Sequence, residues 1–255
     1  MSKQSETLSS VHNAMRILKE FTHEQPELGI SELSARLGLA KSTVFRLIKT
    51  LTENNLVEQN EKNQKYHLGM AAFELGFTVY HEMELRSVAL PLLDRLMKSI
   101  RRTVHLGVYD NGGILFLCKR LAEDHQGTIS KIGRRVPAHC TASGLMLLAY
   151  QDDEEIERFC AGGLKAFTKK TITDYDRLKA ELEQIKQKGY AVCHEELKEG
   201  ICSAAVPVFN DEKEIIAAVS VTGVPQQFYP SQVQVYVQEM RTCSRLITER
   251  MIFDD

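Results

Sequence analysis

The chain has 255 residues, of which 43% are hydrophobic and 26% charged, and its formal net charge is −2 at pH 7. This composition is typical of a globular protein, and the charge excludes a chain that is basic throughout, so any nucleic-acid surface has to be local. No apolar run approaches the roughly 18 residues that cross a bilayer, and the polar N-terminus lacks the apolar core of a secretory signal. We therefore expect a cytoplasmic protein with no membrane partner.

Apolar residues from Val11 to Phe21 recur at helical spacing and predict a first helix, with Ser10 as its N-cap. A second helix is predicted to begin at Ser31 and to end at Gly38. The segment KSTVFRLIKTL, which starts at Lys41, has the period of a third helix. Two short helices separated by a glycine turn are the pattern of a helix-turn-helix, whose second helix enters the major groove.

Residues 56–59 and 65–68 alternate like two strands around a polar turn. A hairpin directly after a helix-turn-helix predicts a winged helix. Between Leu33 and Thr52 the chain has four basic residues and no acidic one, as phosphate contact requires. The residues predicted to bind double-stranded operator DNA are Arg36, Lys41, Ser42, Thr43, Arg46, Lys49, Lys65 and Tyr66.

Arg46 is the best candidate for a bidentate contact with guanine. The alternative interpretation is that Arg46 and Lys49 only solvate the outer face of a core helix, which would be the better one for an isolated helix. Inside a helix-turn-helix with a wing, DNA contact is favoured. For Lys65 and Tyr66 the two interpretations remain equal.

Residues 69–84 are more apolar than a free linker and predict a connecting helix that packs on something, such as the same helix of a second subunit. Further along, strands are predicted at 104–109, 114–117, 128–132, 203–209 and 215–221, and helices at 87–100, 142–150, 153–160, 175–188 and from 230 onwards. Strands in two groups around central helices predict an α+β domain with an antiparallel sheet.

Two loops of this second part are rich in small and polar residues. Residues 133–144 open directly into an apolar helix, whose terminal N–H groups can hold an anion such as a carboxylate. Residues 193–203 enter a strand in a similar way. Facing each other, the loops would form a small polar pocket; the alternative is that both are plain connections.

These segments together resemble the IclR family of bacterial transcriptional regulators. The resemblance rests on KSTVFRLIKTL, the wing ending in YHLG, IGRRVPAHCTASG, and ELKEGICSAAVPVF followed by AAVSVTG. It implies a winged-helix DNA-binding domain (residues 1–69), a linker helix (70–85) and a GAF-like effector-binding domain (86–255). It also implies operator binding as a homodimer or dimer of dimers, and a small organic-acid effector. Within the family, regulators of sugar-acid (ketodeoxygluconate-type) catabolism are the nearest match.

By position, the resemblance assigns the recognition helix to Ser42, Thr43 and Arg46. The predicted effector-binding residues are His139, Thr141, Ala142, Ser143, Gly144, Cys193, Ile201, Cys202, Ser203, Ser220 and Thr222. Leu145 stands where family members often have lysine, and Cys193 stands where those that bind glyoxylate-like acids have aspartate. The sequence therefore predicts a repressor of a catabolic operon, without a cofactor, whose effector is a small carboxylate.

Two other classes remain open. A metal- or thiol-responsive sensor would use His139, Cys140, Cys193, His194 and Cys202 in one pocket, since imidazole and thiolate suit zinc, although their spacing is irregular and we predict no metal. An enzyme would use Cys202 or Cys140 as a nucleophile, but no orienting motif supports it. None of the six cysteines forms a CxxC pair, and we expect free thiols at Cys118, Cys140, Cys160, Cys193, Cys202 and Cys243.

Overall fold

The computed structural model describes residues 8–22, 24–123, 132–133 and 135–253. Most of the strand predicted at 128–132 therefore lies outside the described residues. The chain divides into two compact units, Met1–Met83 and Glu84–Asp255. Among the described helices, none combines the length and apolarity of a membrane span.

The first unit is a winged helix followed by a further helix. Its elements are α1 (Ser9–Glu20), α2 (Ile30–Leu37), α3 (Lys41–Glu53), β1 (Val57–Gln59), β2 (Tyr66–Leu68) and α4 (Met70–Glu82). β1 and β2 form an antiparallel hairpin. The three-helix core closes around Ile17, Leu33, Val44 and Ile48, which are all at most 1% exposed. The predicted helix-turn-helix and wing are both present.

The first two helices begin earlier than predicted. α1 starts at Ser9, so Ser10 lies within it and is not the N-cap. α2 starts at Ile30 because the Glu32 carboxylate accepts a hydrogen bond from the Gly29 N–H at 2.7 Å, which makes Gly29 the N-cap in place of Ser31. Gly38 ends α2 with φ +67°, a left-handed conformation that favours glycine.

The second unit contains a six-stranded sheet in the order β5-β4-β3-β8-β7-β6, with every neighbouring pair antiparallel. Its strands are β3 (Thr103–Asp110), β4 (Gly113–Arg120), β5 (Arg135–Pro137), β6 (Ala191–His194), β7 (Cys202–Phe209) and β8 (Ile215–Gly223). Its helices are α5 (Glu84–Ile100), α6 (Ala142–Leu148), α7 (Asp153–Ala161), α8 (Tyr175–Lys188) and α9 (Pro230–Phe253). The predicted α+β class with an antiparallel sheet is confirmed.

Helices cover both faces of the sheet. Ala205 and Ala218 belong to the core that α6 and α8 build. Because side chains alternate along a strand, Val206 and Val219 point to the other face, and α5 and α9 contact these strands and each other. β6 was not predicted: its four residues lie in the segment that we assigned to a loop, since four residues are too few to establish a period.

Candidate functional site

α3 presents a polar face outwards. Val44, Ile48 and Leu51 pack into the core of the first unit. The residues exposed on the opposite face include the predicted DNA contacts Lys41, Ser42, Thr43, Arg46 and Lys49. The structure therefore places these five side chains where a major groove can reach them.

Acidic neighbours balance part of the basic patch. Arg36 forms an ion pair with Glu20 at 3.5 Å, and Lys65 forms one with Glu32 at 3.1 Å. These acids lie outside the segment from Leu33 to Thr52, so the sequence pattern did not reveal the pairing. Within the described residues, no carboxylate lies within ion-pair distance of Arg46, which keeps its guanidinium available for DNA.

Tyr66 corrects the prediction for the wing. Its side chain is only 8% exposed and belongs to the core of the first unit, where its backbone also bridges to Leu28. The ring is therefore not available as a DNA contact. Alternation along a three-residue strand did not indicate which face was buried.

A cavity of about 540 Å³, partly open to solvent, lies in the second unit. It is bounded by the start of α6, the ends of β7 and β8, and the segment between β6 and β7. Its lining residues are Phe116, Val136, Cys140, Thr141, Ala142, Ser143, Cys193, Glu196, Leu197, Ile201, Ser203, Ser220 and Thr222. Such a volume suits a small organic molecule.

Three predicted effector residues do not line this cavity: His139, Gly144 and Cys202. His139 Nε2 is hydrogen-bonded to the backbone carbonyl of Lys165 at 2.9 Å, and its ring packs near Phe159 and Phe167. Cys202 lies next to Ser203 in β7, so alternation directs the two side chains to opposite faces. The other eight predicted residues are brought together at the cavity wall.

Gly144 has a packing function. A Cβ atom there would lie 2.5 Å from Ala138 Cα, so only glycine allows α6 to approach this backbone. The Gly144 N–H donates to Thr141 Oγ1 at 3.1 Å, and the Ala142 N–H donates to Ser203 Oγ at 3.3 Å. Two of the N–H groups that we expected to face an anion are thus engaged by hydroxyl oxygens.

This arrangement makes the hydroxyls themselves the donors. Thr141 and Ser203 each accept a backbone N–H through oxygen, which leaves their O–H hydrogens free to point elsewhere. Ser143 lines the same wall and is 2% exposed. Three hydroxyl groups therefore stand beside one another at the start of α6.

Sequence reasoning missed five residues of the wall: Phe116, Val136, Cys140, Glu196 and Leu197 as effector contacts. Phe116 belongs to a strand whose pairing brings it there, and no local signal marks it. Glu196 follows β6 and contributes the cavity's acidic group. Burial raises the pKa of its carboxyl, and hydrogen bonds from the backbone of Glu196 and His194 act in the opposite direction.

The thiols near the cavity are held in their protonated form. Burial raises the pKa of Cys140 to about 12 and that of Cys202 to about 11, and it raises the pKa of Cys193 well above its usual range. A protonated thiol is a poor nucleophile and a poor metal ligand. Among the described residues, no group of three His, Cys, Asp or Glu side chains has the arrangement of a metal site.

A buried histidine lies near the cavity. His105 in β3 pairs with Ser220 in β8, is fully buried, and has its ring 5.0 Å from that of Phe116. Burial, with a smaller contribution from Lys119, lowers its pKa from 6.5 to about 3. His105 is therefore a neutral core residue at physiological pH.

α4 carries a large exposed apolar surface. None of its side chains is buried, and Met70, Phe73, Leu75 and Val79 are each more than half exposed. Phe77 is 49% exposed and stacks on Phe73 with ring centroids 5.5 Å apart. A contiguous patch of this kind marks an interaction surface.

Comparison with known proteins gives matches along nearly the whole chain. The model of the IclR helix-turn-helix domain matches residues 10–61, and that of the bacterial transcriptional regulator IclR C-terminal domain matches residues 77–249. The HTH-type transcriptional regulator KdgR of Escherichia coli (strain K12) is 34% identical over 256 residues, covering 100% of this chain and 97% of KdgR.

Solved structures give the same result. A putative IclR transcriptional regulator from Silicibacter sp. TM1040 has a TM-score of 0.86 at 27% identity, covering 95% of this chain and 96% of that one. An IclR homolog from Microbacterium hydrocarbonoxydans, solved as a complex with 4-hydroxybenzoate, has a TM-score of 0.81 at 26% identity, covering 94% and 98%.

Proposed function

The chain belongs to the IclR family of transcriptional regulators, and from this premise we propose that it is a repressor of a catabolic operon, released or engaged by a small organic acid. It is a DNA-binding regulator rather than an enzyme. We expect it to act in the cytoplasm, where operator DNA lies. The observation that carries the proposal is the pairing of an exposed α3 with a ligand-sized cavity in the second unit.

We propose that α3 reads the operator. Arg46→Ala is expected to weaken operator binding by about 1–3 kcal/mol and to relax sequence preference, because one bidentate base contact is lost. Fluorescence anisotropy with labelled operator at fixed salt measures this. Arg250→Ala, which removes an exposed arginine from α9, is the control and should bind as tightly as the parent. Equal affinity for both variants would contradict the assignment.

For the cavity, we propose that the effector carboxylate accepts hydrogen bonds from the hydroxyls of Thr141, Ser143 and Ser203. Apolar side chains such as Leu197 and Ile201 cover the rest of the molecule. A thermal-shift screen of small organic acids identifies binders, because a ligand of the folded state alone raises its stability. Ser143→Glu places a negative charge in that seat and should abolish the shift while operator binding persists.

Because Ser143 is buried, a gentler variant is needed beside it. Ile201 is half-buried on the far wall, so Ile201→Phe narrows the cavity with less risk to folding. It is expected to reduce the thermal shift and to leave operator affinity unchanged. An undiminished response in both variants would place the effector site elsewhere.

We further propose that the functional form is at least a homodimer, with dimers of dimers as the larger form. The support is the apolar surface of α4, which a second copy would cover. Two winged helices in one assembly read two half-sites and multiply the affinity of each.

A further inference from the structure

Two polar atoms of the cavity wall have no hydrogen-bond partner. Glu196 Oε2 and Thr222 Oγ1 are both buried at the atomic level, and neither has a partner among the described residues. Both residues line the same cavity. A buried polar atom without a partner costs on the order of 1–3 kcal/mol, so a ligand that supplies the partner gains affinity there.

The charges around Glu196 decide what kind of partner fits. The lining residues include no lysine, arginine or histidine. Lys170 forms its ion pair with Glu195 rather than with Glu196, and Glu181 adds a further negative charge nearby. The buried thiols facing the carboxyl, Cys140, Cys193 and Cys202, and the exposed His194 add no cation that pairs with it.

An acidic wall excludes a second anion at this point. The carboxylate of an effector would face a like charge beside Glu196, whereas the hydroxyl donors at the start of α6 accept it. A free carboxylate oxygen requires a hydrogen-bond donor. Burying an ammonium group against apolar side chains costs more than burying a neutral hydroxyl.

We propose that Glu196 and Thr222 select a hydroxylated acid, whose alcohol group donates to Glu196 Oε2 while Thr222 Oγ1 bonds a hydroxyl of the same ligand. The unsubstituted acid of equal length leaves both atoms without a partner and is rejected. This inference rests on the proposed effector cavity and adds the chemical class of its ligand.

The experiment compares matched ligands on the parent protein. Isothermal titration with pairs on one carbon skeleton (lactate and propionate, glycerate and propionate, gluconate and hexanoate), plus alanine as the ammonium analogue of lactate, gives the ratio of affinities within each pair. At least one hydroxy acid should bind at least tenfold more tightly than its unsubstituted partner. Equal binding, or preference for the unsubstituted acid or for alanine, overturns the inference.

Variants then locate the discrimination. Glu196→Gln keeps an acceptor oxygen and should keep the preference, whereas Glu196→Met and Thr222→Val remove the polar atom and should lower it at least fivefold. A purely structural role would weaken both members of a pair equally and leave the ratio unchanged, which would also overturn the inference. Glu195→Gln, the same change in the adjacent residue outside the lining, is the control.

The proposed function and this inference fail differently. If no acid of the panel binds, or if Ser143→Glu does not affect binding, the proposed effector cavity is wrong and the inference falls with it. If unsubstituted acids bind and Ser143→Glu abolishes their binding, the cavity stands and only the selection by Glu196 is wrong.

Discussion

Gly144→Ala tests how closely α6 approaches the segment that carries the cavity wall. The added Cβ would lie 2.5 Å from Ala138 Cα and 2.6 Å from its carbonyl carbon, whereas ordinary contacts begin at 3.4 Å. The two backbones therefore have to separate by about 0.9 Å. Because backbone lies on both sides of the contact, no side-chain rotation can relieve it.

Two effects of opposite sign compete in this variant. Glycine in a helix is about 0.5–1 kcal/mol less favourable than alanine, so the substitution by itself would stabilise α6. Overpacking of a closed core costs about 1–3 kcal/mol, and a backbone contact belongs at the upper end. We expect Gly144→Ala to lower the free energy of unfolding by about 2 kcal/mol, which lowers the melting temperature by about 4–8 °C in a unit of this size.

Gly162→Ala is the matched control in the same unit. Gly162 has φ −78° and ψ −2°, and its added Cβ would meet nothing within 4 Å. Alanine there only restricts the unfolded chain and should stabilise the protein by about 0.4–1 kcal/mol. Thermal unfolding followed by circular dichroism at 222 nm measures both. A Gly144→Ala protein that melts at or above the parent temperature would refute the reasoning.

Three further results are expected. The His105 pKa of about 3 lies below its unfolded value of 6.5, so stability present above pH 6.5 is lost as pH falls; His105→Asn should make urea unfolding lose about 2 kcal/mol less between pH 7 and pH 5, and an unchanged loss counts against this. Phe77→Glu should give monomers in sedimentation equilibrium, whereas Val235→Glu, which changes a similarly exposed residue of α9, should not; a dimeric Phe77→Glu protein contradicts the role of α4. Lys49→Gln should reduce the salt dependence of operator binding by about one unit of slope, with Lys62→Gln as the comparison on the wing.

The cavity shows where local reasoning ends. Thr141, Ala142 and Ser143 were found because small and hydroxyl residues before an apolar run mark a helix start, which is a local signal. Phe116 was not found, because its place on the wall depends on the pairing of β4 within the sheet. Glu196 was not found either, since an acidic residue in a polar loop looks like a solvated one.

The amino-acid sequence by itself determined the element types and the DNA-reading motif, because periodicity and the turn at Gly38 depend only on neighbours along the chain. It determined the family for the same reason, through ordered local motifs. Tertiary structure alone decided which polar groups are satisfied. Tyr66 became a core residue, Arg36 and Lys65 acquired acidic partners, and Cys202 turned away from the cavity, because burial and pairing arise between residues that are distant in sequence and close in space.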